Sequence, residues 1–335
     1  MEWNQQTPIL FSGTSHPDLS LQIASQLNVS LGKVHLEQFP DGEISCQILE
    51  NVRGRSVFVV QSIAQTLDGS PNDHLMELLI LVDALKRASA RRIVAIIPYF
   101  GYSRQDRKDK PRVPITARLV ANLLETAGVD RVLTMDLHAD QLQGFFDIPL
   151  DNLYARPVLS LALQKWGIED DVVVVAPDIG GIRLARAFAN HFGGHIAIVD
   201  KKRTGAETVE VSTVIGDVKD KTVLLTDDIC STAGTLAAAA NVCTQFGAKR
   251  VIAAITHGLL VGKALEKISN SSIEFILLSD SVPREPGFHH EKIRIISAAG
   301  LFAEAVRCIL QDTSISSLFD LENWREKEKK QLSNH

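Results

Sequence analysis

The chain has 335 residues, 45% of them hydrophobic and 22% charged, with a formal net charge of −5; at roughly 100–200 residues per domain it is long enough for two domains with real cores. The acidic balance argues against nucleic acid or an anionic membrane as the main partner. No apolar stretch approaches the roughly 18 residues of a membrane span, and the N-terminus lacks a basic-then-apolar secretion signal. Cys46, Cys230, Cys243 and Cys308 are scattered and form no CxxC pair, which points to a reducing cytoplasm rather than to a disulfide framework or a zinc site.

Strand and helix patterns alternate along the chain. Val57–Val60 reads as a buried strand, and Leu75, Leu78, Leu79, Val82 and Leu85 keep helical spacing behind the capping candidates Asn72 and Asp73. Arg92–Ile97 is the next strand, ended by Pro98; Leu119–Thr126 is helical, ended by Gly128; Arg131–Met135 is again a strand. A break near Tyr154–Ser160 precedes a second series. In it, Val172–Val175, His195–Val199, Thr222–Thr226 and Val251–Thr256 read as strands. Leu184–Phe192 and Leu236–Phe246 read as helices, with Gly247 just past the end of the second. Two successive α/β units with parallel sheets follow. The polar run Glu322–His335 reads as a frayed tail.

Polar signatures recur at the strand ends, where open α/β sheets place ligands. Phe39-Pro40-Asp41-Gly42-Glu43, taken alone, is most simply a solvent turn. The cation-rich segment Tyr99–Arg112 contains Arg104-Gln105-Asp106, suited to clasp a polyphosphate or a purine edge, since arginine binds phosphate oxygens bidentately; a solvated basic loop is the plainer alternative. Asp136-Leu137-His138-Ala139 offers an imidazole to a metal or a nucleotide phosphate, or is a helix cap with an incidental histidine. In Ala176-Pro177-Asp178-Ile179-Gly180-Gly181, two glycines allow a diphosphate close to the backbone and Asp178 suits Mg²⁺. Asp200–Ala206 reads either as an exposed hairpin or as a cationic lid over a transferring phosphate.

The most informative stretch is Thr222–Leu236. An apolar run ends in Asp227 and Asp228, and the small-residue turn Ser231-Thr232-Ala233-Gly234-Thr235 leads into an alanine-rich helix. A helix N-terminus favours a phosphate, whereas paired acids repel one and suit sugar hydroxyls and Mg²⁺. One loop holding both describes a site for a phosphorylated sugar. No P-loop GxxxxGK[ST] is present.

In this order, the segments Phe39–Glu43, Asn51–Gly54, Pro98–Asp106, Arg112–Thr116, Glu125–Asp130, Asp136–Ala139, Gln143–Pro149, Ala176–Gly181 and the loop at Asp227 resemble the ribose-phosphate diphosphokinase (phosphoribosyl diphosphate synthetase) family over about Leu10–Phe319. The resemblance implies two successive phosphoribosyltransferase-like domains, each a mainly parallel sheet flanked by helices: residues 8–156 with the ATP segments, 157–319 with the ribose 5-phosphate loop, and a polar tail at 320–335. It implies transfer of the β,γ-diphosphoryl group of ATP to the C1 hydroxyl of ribose 5-phosphate, releasing AMP. Arg104, Gln105, Asp106 and His138 would contact ATP, with Phe39, Asp41 and Glu43 reaching the adenine from a neighbouring subunit of a homo-oligomer, typically a hexamer. His138 and Asp178 would be associated with Mg²⁺, and Asp178, Gly180 and Gly181 would form a diphosphate loop. Lys201 and Arg203 would place charge on the transition state, and Asp227, Asp228 and Ser231–Thr235 would hold the sugar phosphate.

Three departures stand out. Ser231 replaces the third acid of the usual Asp-Asp-x-x-Asp-Thr loop, and Leu184 follows Arg183 where relatives often carry a basic residue. Pro111 stands where relatives often have a small hydroxyl residue in a segment linked to phosphate activation and ADP inhibition, while Ser314 and Ser316 match another part of that region. Two other classes share the fold. A regulatory synthetase-associated subunit is favoured by Ser231 and disfavoured by the intact His138, Asp178, Lys201 and Arg203. A phosphoribosyltransferase, which would release diphosphate only with a nucleobase, is disfavoured by the two-domain length and by Arg104-Gln105-Asp106.

Overall fold

The structure, a computed structural model, describes residues 7–169, 171–202 and 211–326, with residues 201, 202, 211 and 212 described as backbone only. The chain forms two compact α/β units and crosses from the first to the second between Tyr154 and Ala155.

The first unit opens with β1 (Ile9–Ser12), α1 (Pro17–Leu27) and the hairpin β2 (Val34–Gln38) and β3 (Ile44–Ile48). It continues through β4 (Ser56–Val60), α2 (Pro71–Arg87), β5 (Arg92–Ile97), α3 (Thr116–Ala127), β6 (Arg131–Met135) and β7 (Leu150–Leu153). Its sheet has the order β1-β4-β5-β6-β7 and is parallel throughout. Parallel strands buried on both faces need unbroken apolar runs, and Ser-Val-Phe-Val-Val in β4 supplies one. Ile9, Phe11, Val57, Val59, Ile93, Ala95 and Ile97 alternate onto one face, against Leu78, Leu81, Val82 and Leu85 of α2 and Val120, Ala121 and Leu124 of α3. The cap of α2 is Ser70 rather than Asn72: the Ser70 hydroxyl accepts from Asp73 N–H, Asp73 accepts from Ser70 N–H at 2.7 Å, and Pro71 fits the first turn.

The second unit runs α4 (Arg156–Lys165), β8 (Val172–Ala176), α5 (Ile182–Ala189), β9 (Ile196–Lys202), β10 (Val211–Ile215) and β11 (Thr222–Cys230). It then adds α6 (Gly234–Gln245), β12 (Arg250–Gly258), α7 (Ala264–Ser269), β13 (Ile276–Ser279) and β14 (Ile293–Ile296). The sheet order is β10-β9-β8-β11-β12-β13-β14, parallel except for β10 against β9. From β8 the chain winds outward to β9 on one side and to β11, β12 and β13 on the other. The order therefore reverses between β8 and β11, which is where such sheets open a crevice at their carboxyl ends.

The compact units are not divided wholly at the expected boundary between 8–156 and 157–319. Asp280–Pro286 and Ser297–Phe319 return to the first unit, carrying α8 (Ala299–Leu310). α8 packs along α1 and buries Leu301, Phe302, Val306 and Ile309. Asp280 starts this return: its carboxylate accepts from Ala298 N–H at 2.7 Å, and its carbonyl lies 2.6 Å from His16 Nε2, whose Nδ1 accepts from Leu19 N–H at the head of α1. One residue thus ties the heads of both helices, and burial holds His16 below its ordinary pKa, as a neutral Nε2–H tautomer.

The expected polar tail is also corrected. Residues 321–326 are helical and belong to the second unit, with Leu321 and Trp324 buried and Arg325 donating to Gln164 at 2.7 Å. Residues 327–335 lie outside the described residues.

α7 is short, and a lysine ends it. Lys292 Nζ donates to the carbonyls of Ile268, Ser269 and Ser271 at 3.4, 3.0 and 2.9 Å, filling the place of a C-terminal cap and meeting the negative end of the dipole. The Lys292→Met protein is expected to lose about 1 kcal/mol in urea unfolding, within the usual span for hydrogen bonds made by a charged donor at a helix end.

Candidate active site

In the second unit, β11 carries its parallel pairing through both acids: Asp227 is in register with Ile255, Ile229 with His257 and Cys230 with Gly258. The sequence suggests a strand ending at Thr226. The ladder runs four residues further because β12 extends to Gly258 and offers partners that far. Asp227 and Asp228 are therefore fixed by strand geometry, and not by a loop.

The turn after them is held from behind. Leu259 and Leu260 donate N–H to the Cys230 carbonyl at 2.8 and 3.1 Å, and Val261 to the Ser231 carbonyl at 2.9 Å. Ala233 adopts a left-handed conformation, φ +56°, immediately before α6, and no side chain caps that helix. Its first-turn N–H groups and positive dipole end are presented to whatever occupies the turn. Across the crevice, Asp178 follows β8 and accepts from Gly181 N–H at 3.2 Å. A methyl group on Gly180 would lie 3.2 Å from Asp178 Oδ1, so glycine there lets the backbone fold tightly under the carboxylate.

Acidic groups crowd this crevice. Burial, the Asp228 carboxylate and, more weakly, that of Asp178 push the Asp227 carboxyl up to about 8. The donor set is all oxygen, which suits hydroxyl groups and a hard cation. Among the described residues no three histidine, cysteine or acidic side chains converge into a metal nest. The residues thus fit Mg²⁺ held by one or two carboxylates with substrate phosphates and water, the usual arrangement for that ion, and not an all-protein cage.

A folded Asp227 keeps its proton to about pH 8, whereas an unfolded aspartate loses it near pH ~4. The folded protein binds the extra proton between those values, so stability falls as pH rises across that window and levels off above it. In metal-free buffer the melting temperature should therefore decline from pH 5 to pH 8, and Asp227→Asn should flatten that decline.

One residue here has no motif to announce it. Lys267 of α7 brings its ammonium to 3.5 Å from where a Cβ on Gly234 would lie, with the Thr232 hydroxyl 3.9 Å from the same point. In sequence Glu266-Lys267 reads as an ordinary exposed helical pair.

In the first unit, Arg104, Gln105 and Asp106 lie beyond β5, and His138 lies beyond the adjacent β6. Gln141 Nε2 donates to Asp106 Oδ2 at 2.9 Å, which joins the two loops. Gly101 lets the segment after β5 pass close to the one after β4: a Cβ there would fall 2.6 Å from the Ile63 carbonyl oxygen. Arg104, Gln105 and His138 are exposed. The Gln105 carbonyl accepts from Ala117 N–H at 3.2 Å, fixing that loop to the head of α3.

Phe39, Asp41 and Glu43 form the tip of the β2–β3 hairpin. Phe39 N–H donates to the Glu43 carbonyl at 2.7 Å, Gly42 N–H to the Phe39 carbonyl at 2.8 Å, and Glu43 N–H to Asp41 at 3.2 Å. Gln38 of β2 donates its Nε2 to the Gly42 carbonyl at 3.0 Å, so the tip is braced from its own hairpin, and 46% of Phe39 remains exposed. Lys201 stands in β9, in register with Ser212 of β10; its side chain and the whole of Arg203 lie outside the described residues.

Residues 8–128 match the family model for the N-terminal domain of ribose phosphate pyrophosphokinase, and residues 209–320 match that for the phosphoribosyl synthetase-associated domain. A ribose-phosphate pyrophosphokinase of Chlorobaculum tepidum is 48% identical over 331 residues, 98% of this chain and 99% of that protein. One of Clostridium perfringens is 49% identical over 95% of this chain and 99% of its own. The crystal structure of phosphoribosylpyrophosphate synthetase from Mycobacterium smegmatis is similar with a TM-score of 0.85 and 40% identity, covering 92% of this chain and all (100%) of that one.

Proposed function

The chain belongs to the ribose-phosphate pyrophosphokinase family, and on that premise we propose that it transfers the β,γ-diphosphoryl group of ATP to the C1 hydroxyl of ribose 5-phosphate, giving 5-phosphoribosyl 1-diphosphate and AMP. The observation that carries this reading is one crevice holding an uncapped helix N-terminus beside two adjacent acids, one of them with its carboxyl raised to about 8. The first accepts a phosphate and the second accepts hydroxyl hydrogens, and ribose 5-phosphate carries both.

In the reaction the C1 oxygen bonds to the β-phosphorus, the bond from the β-phosphorus to the oxygen it shares with the α-phosphorus breaks, and AMP leaves with that oxygen. The proton of the C1 hydroxyl passes to solvent. Asp227 and Asp228 grip the ribose hydroxyls and orient C1, while Ser231, Thr232, Ala233, Gly234 and Thr235 hold the 5-phosphate. The loop Asp178, Gly180, Gly181 receives the diphosphate. Arg104, Gln105, Asp106 and His138 bind the nucleotide, and Lys201 and Arg203 meet the charge that grows on the transferring oxygens. Orientation and fixed charge supply most of the acceleration in such transfers. Asp178 and His138 are the residues that would associate with Mg²⁺, which when bound would supply positive charge against the phosphates.

The self-contained hairpin tip with its exposed Phe39 supports service to the adenine site of a neighbouring subunit, and with it a homo-hexamer. Phosphate activation and ADP inhibition would act through the segment that includes Ser314 and Ser316. A reducing cytoplasm is supported by four free cysteines, and among the described residues no helix is long and apolar enough to cross a membrane. Ser231 is the one feature on the side of a regulatory subunit, and the near full-length relatives named as ribose-phosphate pyrophosphokinases lend that reading no support.

A ³¹P NMR time course with Mg²⁺, ATP and ribose 5-phosphate tests the reading. AMP and a sugar 1-diphosphate should rise together and only with the sugar present. ADP formation, or no product at any phosphate concentration, would refute it.

A further inference from the structure

Two acids stand near the end of the strand before the sugar-phosphate turn, and a helix N-terminus follows it. The phosphate is a dianion, and Asp227 and Asp228 stand in the strand that leads into its cradle. The sequence provides no cation within the loop itself, since Ser231-Thr232-Ala233-Gly234-Thr235 is neutral.

We propose that Lys267 is a further binding residue for the known reaction, its ammonium pairing with the 5-phosphate of the sugar over Gly234. This rests on the sugar-phosphate reading of the turn.

The fold delivers the residue there by connected steps. Leu259, Leu260 and Val261 donate to the carbonyls of Cys230 and Ser231, so the connection after β12 is bonded to the turn after β11. Leu260 and Gly262 take positive φ, +50° and +60°, which lets that connection bend sharply into α7. Ala264 and Ile268 then seat α7 in the same core as Leu236 and Ala240 of α6. Lys267 is left with its ammonium 3.5 Å from the Cβ position that Gly234 lacks, and the Thr232 hydroxyl lies 3.9 Å from the same position.

Two features make it a ligand rather than a surface charge. Among the described residues Lys267 pairs with no carboxylate, whereas Lys263, one turn earlier, faces Glu266 at 3.9 Å. The absence of a side chain at Gly234 also leaves the space between ammonium and backbone open to a phosphate oxygen. A phosphate there would accept from first-turn N–H groups, the Thr232 hydroxyl and the ammonium together. Charge-assisted bonds of this kind are roughly twice as strong as neutral ones.

The test is calorimetric binding of ribose 5-phosphate and of unphosphorylated ribose to the full-length protein, alongside turnover. Lys267→Met should weaken ribose 5-phosphate binding about tenfold, the size expected for losing one charged contact. Ribose binding and the KM for ATP should not move, and Lys267→Arg should restore most of the loss. Unchanged ribose 5-phosphate binding in the methionine variant would overturn the assignment. So would equal weakening of both sugars, which indicates a displaced helix. Turnover is read separately: a wild-type protein that binds the phosphorylated sugar through Lys267 but releases no AMP refutes the diphosphoryl transfer and leaves the lysine assignment standing. No binding of ribose 5-phosphate by the wild type overturns both.

Discussion

Asp228→Asn is expected to lower kcat/KM for ribose 5-phosphate by about 10²–10³-fold while leaving the KM for ATP within about twofold. A carboxylate that accepts from two ribose hydroxyls supplies two charged hydrogen bonds at roughly 1.5–3 kcal/mol each, and each ~1.4 kcal/mol is a factor of ten in rate. An amide of the same shape keeps one acceptor but brings a donor toward a hydroxyl that must donate. The substitution also removes the like charge that, after burial, does most to raise the Asp227 carboxyl to about 8, so Asp227 should titrate nearer its ordinary range. Initial-rate kinetics with each substrate varied in turn, together with the pH dependence of melting, read both effects. A rise in the KM for ATP with the sugar KM unchanged would show that the acid pair serves the nucleotide.

Phe302→Ala should cost about 3–5 kcal/mol, the usual range for emptying a fully buried phenylalanine site. Phe302 is 0% exposed on α8, a helix drawn from the last quarter of the sequence into the first unit. Leu21→Ala on α1, where the side chain is 56% exposed, should stay within about 0.5 kcal/mol. Denaturant melts followed by circular dichroism distinguish the two. An equal effect of both would mean that α8 does not close the core it packs on.

Much of this was legible in the sequence because parallel strands write themselves as continuous apolar runs. Arg92–Ile97 and Arg131–Met135 appear at the limits their residues suggest. So does the order of strand, acids, small-residue turn and helix around Asp227. Local patterns fell short where the deciding partner is distant in sequence. The extension of β11 through Asp227 and Asp228 depends on the length of β12. The cap of α2 lies at Ser70 because the Ser70–Asp73 reciprocal bonds outcompete a cap at Asn72. The burial of Leu321 and Trp324 in a polar stretch needs a surface that composition does not reveal. Lys267 was invisible for the same reason: only the bonds from Leu259, Leu260 and Val261 to the neighbouring turn give its position a meaning.

The return of α8 has a consequence for how the chain is made. A ribosome that has released residue 154 has not yet supplied what the first unit needs, since its last pieces are Asp280–Pro286 and Ser297–Phe319. At about 5–20 residues per second the interval before those pieces emerge is roughly 10–30 s. During it the strands of the first sheet are present, but the helix that packs along α1 is not, and apolar surface of the nascent chain stands open. The second unit waits as well, for β14 at Ile293–Ile296 and for the buried Leu321 and Trp324. Nascent chains stalled before residue 297 should therefore recruit chaperones at the early segment, and ones stalled past residue 319, with their ends clear of the exit tunnel, should release them.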